Sequence, residues 1–246
     1  MIYEEILPDE ALRETAAGYW RFSLPPGSAP PVHTIPPDGV VSLCWLPHGQ
    51  AVVVGPRVTA LRVPVQPGAE YAGIRFLPGA AGPLLGIDVV SLRGAMIGID
   101  PPGFAEVMRS QGLAGLDALL LRWTKSARWP GPDPVVAELT RRILATDGAA
   151  TVAELVAGLG LSYRQILRRF YQAAGLTPKE FARLRRLRAA CLSAVQRADP
   201  GWATVSAEAG YADQSHLSRE FQDVYGWPPR LVHEYLRRID HRLAAR

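Results

Sequence analysis

Cysteine is scarce in this sequence, and long apolar runs are missing from it. The two cysteines, Cys44 and Cys191, lie too far apart to predict a disulfide framework or a metal site, so we expect reduced core thiols. No apolar run approaches the roughly 18 residues that a membrane-spanning helix needs. The opening residues MIYEEILPDE are acidic, whereas a secretory signal begins basic and then turns apolar. The sequence therefore predicts a soluble, cytoplasmic protein that does not contact a membrane.

Motifs of catalysis and of cofactor binding are also missing. The sequence contains no G-x-S-x-G, no glycine-rich phosphate loop and no paired histidines on a helix. His33 and His48 have no second histidine or glutamate nearby at the spacing of metal ligands. We therefore predict neither an enzyme nor a site for a cofactor or a metal ion.

Charge and proline are unevenly distributed along the 246 residues. Residues 1–134 carry 10 basic and 12 acidic side chains, whereas residues 135–246 carry 17 basic and 11 acidic ones. Of the 22 prolines, 18 precede residue 135. Since proline lacks an N–H donor and interrupts helices, the first half is predicted to be rich in strands and loops. The basic second half is predicted to be helical.

The composition changes at residues 125–134, KSARWPGPDP, which hold three prolines and a glycine. Such a segment is typical of a linker between domains. We therefore predict an α+β protein of two domains, residues 1–124 and residues 135–246, joined by this linker.

Short segments rich in β-branched and aromatic residues occur in the first domain between turn dipeptides. They predict strands over residues 40–46, 51–54, 59–65 and 70–76. Short strands at regular spacing favour a compact barrel or sandwich. Accessory helices are predicted over residues 80–86 and 104–123.

The second of these helices carries Leu113, Leu116 and Leu120 near helical spacing. One small barrel need not bury this stripe fully, so we expect it to pair two copies of the chain in a homodimer. The alternative is that the helix simply closes its own domain.

Alternation along residues 70–76 places Tyr71 and Arg75 on one face of a strand. If that face lines the interior, Arg75 is a buried cation that requires an anionic ligand. If it faces outward, Arg75 is an ordinary surface arginine. With Trp45 as a further aromatic wall, these three residues are the candidate effector pocket.

The second domain nearly repeats itself. Residues 162–170, SYRQILRRF, align with residues 213–221, DQSHLSREF, at an offset of 51. The same offset pairs an arginine, an aromatic residue, a glycine and a proline of each copy: Arg168 with Arg219, Phe170 with Phe221, Gly175 with Gly226 and Pro178 with Pro229. One supersecondary unit is therefore used twice.

Each unit has the sequence pattern of a helix-turn-helix. In the first, Thr151 and Ser162 are the predicted N-caps of the two helices, and Gly160 makes the turn between them. In the second, Gly210 makes the turn and Asp213 is the predicted N-cap of the second helix.

The two helices of a unit cross closely, which requires a small residue at the crossing. Ser206 of the second unit fits this requirement, whereas its counterpart Val156 is bulky and puts the crossing of the first unit in doubt. Between the units, a helix over residues 178–197 is predicted to fix the separation of the two recognition helices.

Residues 135–238 resemble the DNA-binding domain of the AraC/XylS family of bacterial transcription regulators, and GYADQSHLSREFQDVYGWPP at residues 210–229 matches the signature of that family. Residues 33–43, HTIPPDGVVSL, and residues 73–81, GIRFLPGAA, resemble the sensor domain of a poorly characterised AraC-type subgroup. The resemblance implies sequence-specific binding to double-stranded DNA, activation through RNA polymerase, and a cupin-like first domain that responds to a small-molecule effector or a partner.

A recognition helix lies in the major groove with its N-terminal residues at base edges, and its outward face follows from the inward position of Ile166 and Phe170. Arginine suits guanine, glutamine suits adenine, and leucine suits the thymine methyl group. The predicted base-reading residues are Arg164, Leu167, Arg168, Gln214, Ser215, Ser218 and Arg219. The predicted phosphate contacts are Arg169, Arg185, Arg186 and Arg188.

Two other hypotheses remain open at the level of sequence. One is a cupin-like enzyme fused to a DNA-binding tail, against which the missing metal ligands argue. The other is a regulator whose first domain binds a protein and no small ligand.

Overall fold

The computed structural model describes residues 1–27, 32–126 and 129–243. The first part of the chain forms a β-rich domain with short helices, as predicted. Its elements are β1 (Ile2–Ile6), β2 (Ala16–Ser23), β3 (Val32–Ile35), β4 (Val41–Trp45), β5 (Ala51–Val54), β6 (Leu61–Pro64), β7 (Glu70–Phe76), α1 (Ala81–Leu85), β8 (Met96–Gly98), α2 (Phe104–Ser110) and α3 (Leu116–Thr124).

The second part is helical until its last few described residues, which confirms the two-domain α+β class. Its elements are α4 (Pro134–Ala145), α5 (Val152–Val156), α6 (Tyr163–Ala174), α7 (Pro178–Val195), α8 (Trp202–Glu208), α9 (Gln214–Tyr225), α10 (Pro229–Leu236) and β9 (Asp240–Leu243). Among the described residues, no helix combines the length and the apolar character that crossing a membrane would require.

A seven-stranded sheet in the order β8-β5-β4-β7-β2-β1-β9 organises the first domain. Adjacent strands of this sheet are antiparallel, except for β1 and β9, which are parallel. A separate ribbon of β3 and β6 covers part of one face, where His33 stacks on Phe22 with ring centroids 4.0 Å apart.

The opposite face of the sheet carries the core of this domain. Leu43, Val53 and Ile74 lie side by side on adjacent strands and are fully buried. They belong to one apolar cluster with Phe104 of α2 and Leu116 of α3. The two helices therefore cover the face that the alternating strands make apolar.

The helix predicted over residues 104–123 is interrupted. Gly112 adopts a positive φ of 60°, and a short 3-10 segment at Gly112–Gly115 separates α2 from α3. Leu116 and Leu120 are fully buried in the core of their own domain, and Leu113 packs on its edge. The stripe therefore packs mainly within its own domain, which is the alternative given above, and a homodimer through it stays a prediction.

Two apolar clusters hold the second domain together, one for each repeated unit. The first contains Ile166 and Phe170 of α6, and the second contains Leu217 and Phe221 of α9. Helix α7 contributes to both clusters, through Phe181 in the first and a row of residues in the second: Leu184, Leu187, Ala190, Cys191 and Ala194. This helix therefore joins the two units rigidly, as the sequence predicts.

The two domains are docked against each other. Strand β9 follows the last helix of the second domain and adds to the edge of the first domain's sheet, pairing Ile2 with Asp240. At Gly39, which has a positive φ of 74°, a Cβ would lie 2.9 Å from the ring of Phe181 on α7, so only glycine permits this approach. Residues 127 and 128 of the predicted linker lie outside the described residues.

Candidate nucleic-acid interface

Local capping sets where the two recognition helices begin and end. At α6, the Ser162 hydroxyl accepts a hydrogen bond from the backbone N–H of Gln165, and the side-chain oxygen of Gln165 accepts one from the backbone N–H of Ser162, which makes a capping box. At α9, Asp213 accepts from the backbone N–H of His216 at 2.7 Å. Both helices end at a glycine with positive φ, one at Gly175 and one at Gly226. All three predicted caps, including Thr151 at α5, are therefore confirmed.

Helix α6 turns one face inward and one face to solvent. Ile166 and Phe170 are fully buried, whereas Arg164 and Arg168 are exposed and Leu167 is half-buried. Neither Arg164 nor Arg168 makes a hydrogen bond or an ion pair with another described residue. Two unpaired guanidinium groups therefore extend from the N-terminal half of this helix.

Helix α9 repeats this arrangement with different outward chemistry. Gln214, Ser215 and Arg219 are exposed, and Ser218 is half-buried beside the buried Leu217. Arg219 donates from Nε to the carbonyl oxygen of Ser215 at 3.3 Å, which lays its side chain back along the helix toward the N-terminus. All seven predicted base-reading residues thus lie on the two helices named for them, and their contact with bases stays a prediction.

Helix α7 is also tied to the second recognition helix by charge. Arg183 pairs with Glu220 at 2.7 Å and with Asp223 at 3.1 Å, both on α9. The orientation of α9 relative to α7 is therefore held by ion pairs as well as by the apolar cluster.

The predicted phosphate contacts fall into two groups. Arg169 is exposed and pairs with Asp133 at 3.1 Å, and Arg186 is half-buried, with its guanidinium 4.5 Å from the ring centroid of Tyr211. Arg185 and Arg188 do not face open surface, as a phosphate contact requires. Arg185 is buried, and Arg188 is turned toward the first domain.

Arg188 takes part in a charged cluster between the domains. Its Nη2 donates to Glu5 at 2.9 Å, and the other oxygen of Glu5 lies 3.7 Å from Arg75. Burial raises the pKa of Glu5, but the guanidinium groups of Arg188 and Arg75 outweigh it, so the net pKa is lowered. Glu5 is therefore an anion that bridges an arginine of each domain.

The predicted effector pocket does not form as expected. Arg75 is largely buried, but its anions come from the protein itself, since Nε pairs with Asp38 at 2.6 Å. Tyr71 shares the sheet face of Arg75, whereas Trp45 is paired in register with Ala72 and packs on Phe104 on the opposite face. The three candidate residues therefore do not converge on one cavity.

The first domain contacts the C-terminal ends of both recognition helices at equivalent positions. The backbone N–H of Gly79 donates to the carbonyl of Ala173 at 3.3 Å, and that of Ala60 donates to the carbonyl of Val224 at 2.8 Å. Ala173 and Val224 are 51 residues apart, which is the offset of the repeat. The sequence analysis missed these contacts, because nothing local marks a loop backbone that meets a distant helix.

An arginine of the first domain adds a second contact at each helix end. Arg93 donates to the carbonyl of Gly175 at 3.4 Å and pairs with Glu180 at 2.6 Å. Arg62 donates to the carbonyl of Tyr225 at 3.4 Å. The last carbonyls of a helix carry partial negative charge, so a cation is stabilised there.

Both cysteines are free and buried. Burial raises the pKa of Cys44 to about 12 and that of Cys191 to about 11, so both are protonated thiols at neutral pH. Within residues 1–27, 32–126 and 129–243, no three His, Cys, Asp or Glu side chains are grouped so that they could hold a metal ion.

Comparison with known families and structures matches each half of the chain separately. Residues 155–238 match a family of helix-turn-helix domains, and residues 4–97 match a domain of unknown function, DUF6597. No curated protein sequence matches the chain significantly.

Several solved structures of ToxT from Vibrio cholerae show a general likeness. ToxT from strain O395 is 9% identical with a TM-score of 0.45, over 90% of this chain and 97% of that one. The same protein bound to (E)-4-(8-methylnaphthalen-1-yl)but-3-enoic acid is 9% identical with a TM-score of 0.46, over 96% and 100% of the two chains. Likenesses this low say nothing about what the present chain binds.

Two helix-turn-helix units stand in one basic domain, and each presents an outward face with an arginine at the same place in the repeat. A helix-turn-helix family matches the same residues. The second domain therefore carries a helix-turn-helix DNA-binding domain, and the protein is a DNA-binding transcription regulator.

Proposed function

We propose that this protein recognises one asymmetric DNA site with α6 and α9 in two successive major-groove segments on one face of the duplex. The proposal rests on one observation: Arg168 and Arg219 are both exposed and occupy equivalent positions in the two repeated units. Helix α7 packs against both units and so joins them. Successive major-groove segments lie about 34 Å apart along the duplex. Because two different helices contact them, the site has no internal symmetry.

In this proposal, the outward residues of the two helices divide the work of recognition. Arg164, Arg168 and Arg219 contact guanine O6 and N7, and Gln214 contacts adenine. Leu167 meets a thymine methyl group, and the hydroxyl groups of Ser215 and Ser218 supply further hydrogen bonds. Arg169, which is exposed, and Arg186, which is half-buried, contact phosphates and set the register.

We also propose that the first domain regulates DNA binding through its contacts with the recognition helices. It meets the C-terminal ends of α6 and α9 by one backbone hydrogen bond and one arginine each. A conformational change in this one domain therefore reaches both half-sites together. A small-molecule effector of the first domain would act by shifting these contacts, and the resemblance to the AraC family implies that the bound regulator then engages RNA polymerase.

Selection of DNA by the full-length protein tests the first proposal. From a pool of random duplexes, the protein should select one asymmetric sequence, and footprinting should protect about two helical turns. Affinity should fall with salt by about 0.9 log unit per contacted phosphate per log unit of salt concentration. Protection of a single short groove segment, or an affinity that salt does not change, would contradict it.

A further inference from the structure

Tyr163 occupies the first position of α6 and is unusually exposed for an aromatic residue. The residue is 53% exposed, and it makes no hydrogen bond or ring contact with another described residue. The capping box of Ser162 directly before it holds this end of the helix in place. A large apolar side chain is thus presented to solvent from a rigid backbone position.

The repeat places a predicted base-reading residue at this position in the other unit. At the offset of 51, Tyr163 corresponds to Gln214, the first residue of α9 and a predicted base-reading residue. Side chains of a helix tilt toward its N-terminus, so a residue at the first position projects past the helix end. The N-terminal residues of a recognition helix are those that reach base edges.

The two helices differ in chemistry at this end. One turn after Tyr163 comes Leu167, so the first two turns of α6 each begin with a large side chain that is mostly apolar. The corresponding residues of α9, Gln214 and Ser218, are both polar. In the major groove, the apolar group that distinguishes one base from the others is the C5 methyl of thymine.

We propose that Tyr163, together with Leu167, is a specificity-determining residue that selects thymine in the half-site of α6 through its C5 methyl group. This inference rests on the proposed function, because it requires α6 to lie in the major groove. The half-site of α9 is then recognised by hydrogen bonds and does not depend on a methyl group.

Deoxyuridine tests the proposal, because it differs from thymidine only by the missing methyl group. The preferred duplex of the full-length protein is first selected from a random pool. The half-site of α6 is then the one in which Arg168→Ala relaxes base preference. Each thymine is next replaced singly by deoxyuridine, and the affinities of wild type, Tyr163→Ala, Tyr163→Phe and Gln214→Ala are compared.

Wild type should lose about fourfold in affinity at one substituted thymine of the α6 half-site, which is the effect of one buried methyl group. Tyr163→Ala should bind the two duplexes equally, whereas Tyr163→Phe and the control Gln214→Ala should keep the fourfold ratio. Because Tyr163 is exposed and unpartnered, Tyr163→Ala should unfold at the same temperature as wild type.

Two results would overturn the proposal while leaving DNA recognition intact. If the affinity of wild type is unchanged by every deoxyuridine substitution in this half-site, the protein makes no contact with a thymine methyl group there. If Tyr163→Ala keeps the fourfold ratio and Tyr163→Phe lowers the affinity for all duplexes alike, the tyrosine hydroxyl contacts a phosphate instead. A protein that selects no sequence at all fails the proposed function instead, so the two failures are distinguishable.

Discussion

The two helix-turn-helix units share a frame, by which we mean the buried residues and helix ends that set their packing, and differ at most of the positions that face solvent. Phe170 and Phe221 fill equivalent places in their clusters, and a glycine with positive φ ends each recognition helix. Apart from the pair Arg168 and Arg219, the outward positions differ: the second turn begins with Leu167 in α6 and with Ser218 in α9. Burial constrains the frame because both units must pack against the same helix α7. The side chains that face solvent have no such constraint, so their chemistry is free to vary.

The first helices of the two units differ as well. Ser206, the small residue expected at the crossing, is buried, and α8 runs seven residues. Val156 is only half-buried, and α5 stops at that residue after five. The bulky valine expected to disturb the crossing thus coincides with the end of a shortened helix.

The largest predicted effect tests whether the frame is equivalent in the two units. Phe170→Ala and Phe221→Ala each remove a fully buried ring, so each should lower the free energy of unfolding by about 3–5 kcal/mol. Denaturant titration of the two variants measures this loss. A loss below about 1 kcal/mol in one variant would show that its unit does not rely on the shared frame.

A smaller effect separates the recognition roles of the two units. Arg168→Ala and Arg219→Ala should each lose about 1–3 kcal/mol on the preferred duplex and relax preference at one base, each in a different half-site. Selection of DNA with each variant locates the relaxed position. If Arg219→Ala weakens preferred and random duplexes alike, Arg219 contacts the backbone instead.

Arg169→Ala serves as the matched control for these two variants. It should weaken all duplexes uniformly and reduce the slope of affinity against salt by about one unit, as a phosphate contact does. Relaxed preference at a base in this variant would move Arg169 to the base-reading group.

The smallest effect concerns the contacts that the first domain makes with each unit. Arg93→Ala should loosen the end of α6 and Arg62→Ala the end of α9, each by about 0.3–1 kcal/mol, because each removes a cation from a helix C-terminus. Hydrogen exchange of the Gly79 amide should then accelerate in Arg93→Ala and that of the Ala60 amide in Arg62→Ala. Acceleration of both amides in either variant would show that the two contacts open as one unit.

Much of the second domain follows from sequence because its determinants are local. The N-caps Ser162 and Asp213 and the apolar spacing of α6 and α9 act within one or two helical turns. The same holds for β5 and β7, which match the predicted strands to the residue.

The first strands of the chain escaped prediction for the opposite reason. Strand β1 carries two glutamates in five residues, and it is stabilised by pairing with β2 on one side and β9 on the other. Its ladder with β9 joins residues more than 230 positions apart, and no local pattern reports such a pairing.

The sequence by itself determined the repeated unit, the ends of its helices and the faces that they turn outward. Only the tertiary structure decided which outward arginines stay free. Arg168 extends into solvent, whereas Arg188, on an equally arginine-rich helix, meets Glu5 of the other domain. Helical periodicity separates a buried face from an outward one, but it does not distinguish solvent from a second domain docked on that face.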